Sequence, residues 1–169
     1  MITELETERL LLRQFCNDDF EPLAEMMSDE KHMRFIGGTS GREQSWRRLA
    51  TLVGHWTLRG YGFFALEEKI SKTFIGWTGL WFPEGWPERE IGWALLPKAI
   101  GKGFVTEAAL RVRKHAYEDL GWTTAISLIA KENIASAKVA ERLGATHERD
   151  IVLWGDEAGI YRHPGPAEI

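Results

Sequence analysis

This sequence predicts a mixed α/β (α+β) fold in a single domain, and three observations carry the prediction. Alternating apolar runs suited to strands recur along the chain, stretches with apolar residues at helical spacing separate them, and no repeat, low-complexity run or interdomain linker interrupts the order. About seven strands and about four helices follow from this pattern. The domain spans residues 1–169. A chain of this length buries about 70% of its unfolded surface, so its core needs no covalent staples.

Leu10 and Leu12 against Arg9 and Arg13 alternate as a first strand. Asn17 or Asp18 then caps a helix that carries Leu23, Met26 and Met27. Residues 37–41, Gly-Gly-Thr-Ser-Gly, make a loop, and Trp46, Leu49, Val53 and Trp56 mark a second helix that stops at Gly60. Residues 61–66 and 74–80 read as a β-hairpin around the charged turn at 68–72. Pro83 and Pro87 break the chain before a strand at 90–96. The next helix, 105–120, places Val105, Ala108, Ala109, Val112, Ala116 and Leu120 on one face and charge on the other. Residues 124–130 form a buried strand, 135–143 a short helix stopped by Gly144, and 148–161 two strands joined near Gly155. The order is βααβββαβαββ.

Composition narrows the function. With 21 basic and 25 acidic residues the net charge is -4, so no field favours nucleic acid over the whole surface. Cys16 is the only cysteine, which rules out an internal disulfide; it reads as a small core residue in a reducing compartment. Residues 1–6 lack a basic region followed by an apolar run, and no window approaches the roughly 20 apolar residues of a membrane span. A soluble, cytoplasmic protein without membrane or nucleic-acid partners is expected. The five histidines show no metal-ligand spacing, and neither a Ser-His-Asp nor a Cys-His set can be assembled. No metal cofactor is expected. Of the eight tryptophans, Trp77, Trp81, Trp86 and Trp93 crowd the middle of the chain; most belong in the core or on sheet faces, and a few line a pocket.

The segment with most chemistry is Lys98-Ala99-Ile100-Gly101-Lys102-Gly103-Phe104-Val105-Thr106-Glu107, between a strand and a helix. Two glycines one residue apart let the backbone turn sharply, and the free N–H groups of the first helical turn make an anion site. The helix dipole and Lys98 and Lys102 add positive potential. An ordinary tight βα turn has the same Gly-x-Gly. The loop lacks the spacing of Gly-x-x-x-x-Gly-Lys-Ser/Thr, and Thr106 stands where Gly-x-Gly-x-x-Gly needs its third glycine.

Lys98-x-x-Gly101-x-Gly103 resembles the Gln/Arg-x-x-Gly-x-Gly/Ala pyrophosphate loop of the GCN5-related N-acetyltransferases (GNAT), with Lys98 at the Gln/Arg position. Three further pieces match in order. Thr7-Glu8-Arg9-Leu10-Leu11-Leu12-Arg13 precedes it, Glu90-Ile91-Gly92-Trp93-Ala94-Leu95 leads into it, and Asn133-x-x-Ser136-x-x-Val139-x-x-Arg142-Leu143-Gly144-Ala145 follows. Together they resemble the branch that acetylates ribosomal-protein N-termini, the RimJ/RimL-like proteins, over nearly the whole chain.

The resemblance implies a mixed, mostly antiparallel twisted sheet splayed between its fourth and fifth strands, with acetyl-CoA in the cleft. It implies pyrophosphate on the amides of Gly101, Lys102, Gly103, Phe104, Val105 and Thr106, and pantetheine amides on the backbone of Trp93 and Leu95. Plain ladder pairing is the alternative for Leu95. Asn133 either caps a helix or turns its amide to the pantetheine; Ser136 either meets the sulfur or sits in a helical turn. Lys138 and Arg142 reach phosphate or stand solvated. Glu90 is the candidate general base, with a cross-strand ion pair as its bland role. Ala140 stands where many members carry an acidic tyrosine, leaving Ser136 or water to protonate the thiolate. Phe35, Trp81 and Trp86, in or beside loops 34–42 and 82–89, frame the acceptor pocket.

No nucleophile suggests an acyl-enzyme, so transfer is direct, in a ternary complex with a primary amine on a small molecule or a peptide N-terminus. The base matters less for an α-amine, neutral about one time in ten at pH 7, than for a lysine, neutral about once in 2,500. A CoA-responsive regulatory protein on the same fold is the rival reading. Either a monomer or a homodimer is compatible with the sequence.

Overall fold

The computed structural model describes residues 3–169. Strand β1 (Leu5–Glu6) pairs with β2 (Leu10–Arg13), and a 3-10 turn (Asn17–Asp19) leads into helices α1 (Phe20–Ser28), α2 (Glu30–Met33) and α3 (Arg42–Arg59). An antiparallel meander follows: β3 (Phe63–Glu68), β4 (Thr73–Trp81) and β5 (Glu90–Leu95). A second 3-10 turn (Pro97–Ala99) precedes α4 (Phe104–Glu118), then β6 (Ile126–Ala130), α5 (Ile134–Arg142), β7 (Thr146–Leu153) and β8 (Asp156–Arg162). All eight strands join one sheet in the order β1-β2-β3-β4-β5-β6-β8-β7. Every neighbouring pair is antiparallel except β5 and β6.

Strand alternation builds two cores on opposite faces of the sheet. Phe64 and Leu66 of β3, with Ile91 and Leu95 of β5, pack against Ala108, Ala109, Val112 and Ala116 of α4. Three of those four helix residues are alanine, so the backbone of α4 lies close to the sheet. Phe63, Ala65 and Ala94 point the other way, to Leu23, Met26 and Met27 of α1 and Leu49 and Leu52 of α3. Each large side chain buried in full, such as Phe64 or Ile91, contributes roughly 1.5–3 kcal/mol. The β6–β8 part holds a much smaller cluster, Ile129, Ala140 and Ala145.

The mixed α/β, mostly antiparallel architecture agrees with the sequence reading, with differences of detail. Among the described residues the sheet has eight strands where about seven were expected, the added one being β1, which is only two residues long and leaves no periodic trace. Five helices stand where about four were expected, the fifth being the one-turn α2, capped by Asp29 accepting from His32 N–H at 2.8 Å. Asn17 and Asp18 lie in the 3-10 turn and neither caps α1, whose N-cap residue is Asp19, and β3 starts at Phe63 rather than at residue 61. Cys16 is exposed, not a core residue. Trp56, Trp77 and Trp122 are core, but Trp46 and Trp154 are exposed. Gly60 and Gly144 end α3 and α5 in the left-handed region as their positions suggested. Among the described residues no helix is long and apolar enough to cross a membrane.

Candidate active site

The sheet parts at one residue. Strands β5 and β6 share a single register pair, Glu90 with Ile126, whereas β5 keeps six pairs with β4. Leu96 N–H donates to Ile75 O at 2.8 Å, and antiparallel pairing alternates, so residues 92 and 94 also bond towards β4. The N–H and C=O groups of Ile91, Trp93 and Leu95 therefore face β6. Ile91 O is taken by Ser127 Oγ at 2.6 Å. Trp93 and Leu95 lie beyond the parting point and have no ladder partner there. Leu95 keeps ladder register with Gly76 of β4 but has no ladder partner on the β6 side.

Ser127 braces that branch. Since its hydroxyl donates to Ile91 O, it accepts from His163 Nε2–H at 2.9 Å. Burial, then the charges of Arg113 and Arg162, push His163 down to about 3, so the ring is neutral. Neither residue was found from sequence, since a serine and a histidine 36 positions apart leave no pattern.

At one end of the cleft lies the glycine loop. Gly101 and Gly103 hold φ of +81° and +80°, a region costly for any residue with a Cβ. A Cβ on Gly101 would meet nothing within 4 Å; conformation, not space, requires the glycine. No N–H from Gly101, Lys102, Gly103, Phe104, Val105 or Thr106 has an acceptor among the described residues, and the first helical bond runs from Glu107 N to Gly103 O at 3.1 Å. The amides converge at the α4 N-terminus. Lys98 and Lys102 are exposed and lie outside the groove lining, and Phe104 buries its ring in the core, offering only its backbone.

A clamp from the chain's beginning fixes the loop. Thr7 Oγ1 donates to Glu107 Oε1 at 2.5 Å, Arg9 N–H to the same oxygen at 2.9 Å, and Arg9 Nε to Glu107 Oε2 at 2.6 Å. Arg9 also donates to Lys102 O at 2.9 Å and covers the Phe104 ring at 4.5 Å. Burial alone would raise the Glu107 carboxyl, but the bonds from Thr7 and Arg9 hold it below its ordinary value.

At the parting point sits Glu90, 7% exposed. Its Oε2 accepts from Trp86 Nε1 at 2.7 Å and its Oε1 from Leu128 N–H at 3.2 Å. No cation pairs with it among the described residues, so the ion-pair role is excluded. Burial pushes its carboxyl from 4.5 up to about 7, against the weaker pull of those two bonds.

A groove of about 1950 Å³ connects these parts. Trp93, Leu95, Gly101, Gly103, Val105, Thr106, Asn133, Ser136, Lys138 and Arg142 line one end, and Phe35, Trp81, Trp86 and Glu90 the other. Asn133 Oδ1 accepts from Ser136 N–H at 3.1 Å, capping α5. The Asn133 amide nitrogen has no acceptor among the described residues. Trp93 Nε1 donates to Ser136 Oγ at 3.4 Å, and Ala140 is wholly buried behind them. Trp81 is fixed against His55 and Phe63, with centroids 4.4 Å and 5.2 Å apart. Arg34, over the Phe35 ring, pairs with Glu132 and so joins the loop after α2 to the loop after β6. Trp154 also lines the acceptor end. Its one sequence signal is a Trp-Gly where a hairpin turn normally carries Asn-Gly.

A parted sheet, an amide-lined helix start and a buried acid at the parting point make up the cleft, and comparison with known proteins gives the family. A family model described as the acetyltransferase (GNAT) domain matches residues 9–146, and the chain belongs to that family. The crystal structure of an acetyltransferase from Agrobacterium tumefaciens strain C58 superposes with a TM-score of 0.88 at 29% identity, covering 97% of this chain and 95% of that one. The Bacillus subtilis protein YoaA, named an uncharacterized N-acetyltransferase, is 24% identical over 151 residues, 88% of this chain and 85% of its own. Ribosomal-protein-S5-alanine acetyltransferase from Vibrio fischeri shares the fold, with a TM-score of 0.76, 18% identity and 99% of both chains covered.

Proposed function

We propose that this chain transfers an acetyl group from acetyl-CoA to a primary amine, by direct attack with both substrates bound. The observation that carries the proposal is the placement of Glu90, buried and without a cation, where β5 and β6 part. The cleft's residues fit a pantetheine phosphate chain. Orphaned amides at residues 101–106 suit a pyrophosphate, and the unpaired edge of β5 at Trp93 and Leu95 suits the amides of an extended arm. Acetyl-CoA supplies an activated thioester.

In this reading Lys138 and Arg142 add charge at the phosphate end, and the free Asn133 amide serves the arm. A carboxyl near 7 is half ionised at neutral pH, which suits a base that must accept a proton from an ammonium, directly or through water. Trp86 and Leu128 hold its two oxygens in place. Ser136 Oγ is the hydroxyl available to a departing thiolate, since the Ala140 position is filled with core. The YoaA name points to a nitrogen acceptor for that protein, and the Vibrio fischeri name to an alanine of a ribosomal protein for that one. A thiol-release screen of acetyl-CoA against small amines and N-terminal peptides tests the proposal. Turnover with at least one amine, lowered on the order of a hundredfold in Glu90→Gln, is expected; acetyl-CoA binding without turnover of any amine would favour the regulatory alternative.

A further inference from the structure

The turn between β7 and β8 has two residues, Trp154 and Gly155, closed by Leu153 opposite Asp156. Both have positive φ, +52° and +95°, the geometry that suits the twist of a tight hairpin and that Asn-Gly normally supplies. A tryptophan there is strained, because its Cβ crowds the adjoining carbonyl. Burial does not offset the strain, since Trp154 is 76% exposed. Backbone strain of this kind collects where function uses it.

The ring has a definite neighbour. Trp154 meets Trp86 edge to face, with centroids 5.4 Å apart and planes at 60°, and Trp86 donates to Glu90 Oε2 at 2.7 Å. A continuous path therefore runs from an exposed indole, through a half-buried one, to the buried acid. Pro83 and Leu153 add apolar wall, and Asp156 and Glu157 add carboxylates to the same end of the groove. Glu157 is paired with Lys131, but Asp156 has no cation among the described residues.

We infer that Trp154 and Trp86 form the acceptor seat, and that the acceptor is an ammonium attached to a flat apolar group. The indoles supply stacking faces and cation–π attraction, and Asp156 and Glu90 supply the counter-charge. Two sources share this chemistry, a free arylalkylamine and a peptide that begins with an aromatic residue. The inference rests on the acetyl-transfer reading above and adds the substrate class to it.

The test compares kcat/KM for 2-phenylethylamine with that for ethanolamine, and for a Phe-initiated with a Gly-initiated tripeptide amide, at fixed acetyl-CoA. The parent should prefer the aromatic member of one pair by at least about tenfold, and the pair that shows it identifies the source. In Trp154→Asn that preference should fall about tenfold while Tm rises by roughly 2–4 °C, because asparagine suits the turn. Trp154→Phe should keep most of the preference. An indole with only a structural role would show the reverse, a lowered Tm with the preference intact, and that result overturns the inference. Equal use of aromatic and polar acceptors by the parent would overturn it alone, whereas failure with every amine would remove the acetyl-transfer reading as well.

Discussion

At the α4 end of the cleft the groups that face the groove are largely main-chain amides, set by two left-handed glycines and held by the Thr7–Arg9 clamp on Glu107. At the other end they are side chains, Trp86, Glu90 and Trp154, carried by a loop, a strand start and a hairpin turn. The first end depends chiefly on backbone conformation, to which Asn133, Ser136, Lys138 and Arg142 add side-chain groups. The second depends on tertiary placement of particular rings and one carboxyl. A backbone site should therefore fail in binding when its geometry is disturbed, and a side-chain site should fail in turnover or selectivity.

Glu90→Gln puts the greatest strain on that comparison. Turnover should drop on the order of a hundredfold at neutral pH, with partial recovery as rising pH neutralises the amine, and with acetyl-CoA affinity unchanged. The same substitution has a stability signature. Since the folded value of about 7 lies above 4.5, the parent's stability from this group is full below about pH 4.5 and is lost as pH rises through 7, by up to about 3 kcal/mol. Denaturant unfolding of parent and variant at pH 5 and pH 8 measures it; parallel curves would contradict the burial argument.

Gly101→Val acts on the other end. A β-branched residue at φ +81° should weaken acetyl-CoA binding at least about tenfold by calorimetry, with the fold intact and the amine's KM little moved. Unchanged affinity in a folded variant would take the loop out of the site. Arg9→Ala sharpens the point, since it removes the side-chain part of the clamp, its bonds to Glu107 and to Lys102 O, while changing no residue of the loop itself. Acetyl-CoA affinity should fall roughly threefold to tenfold through lost preorganisation, with about 1 kcal/mol of stability.

Ser136→Ala should show the smallest effect. Losing one neutral hydrogen bond slows turnover roughly twofold to tenfold, with the KM for acetyl-CoA moving less. Single-turnover rates equal to the parent's would leave the hydroxyl a helix-turn group beside Trp93.

Legibility in the sequence follows the same division. Gly101 and Gly103 were readable because a positive φ leaves its mark on a single residue, and the helix after them because α4 keeps an apolar face. Strands β3 to β5 were readable by composition, since both their faces are buried. The family resemblance added Glu90, Asn133 and Ser136 as candidates, but whether Glu90 stood in an ion pair or alone could not be read from its neighbours in sequence.

By itself, then, the sequence determined the order of the longer elements, missing only the two-residue β1, the one-turn α2 and the 3-10 turns, together with the turns that need glycine and the location of the amide-lined loop, because these depend on local conformation and on periodicities of two and 3.6 residues. Only the tertiary structure decided where the sheet parts, that Thr7 and Arg9 hold Glu107 from about a hundred residues away, that Ser127 and His163 brace the branch, and that Trp154 reaches Trp86 above Glu90. Those contacts join residues far apart in the chain. Their energies come from burial and from hydrogen-bond geometry, which exist only once the sheet has formed.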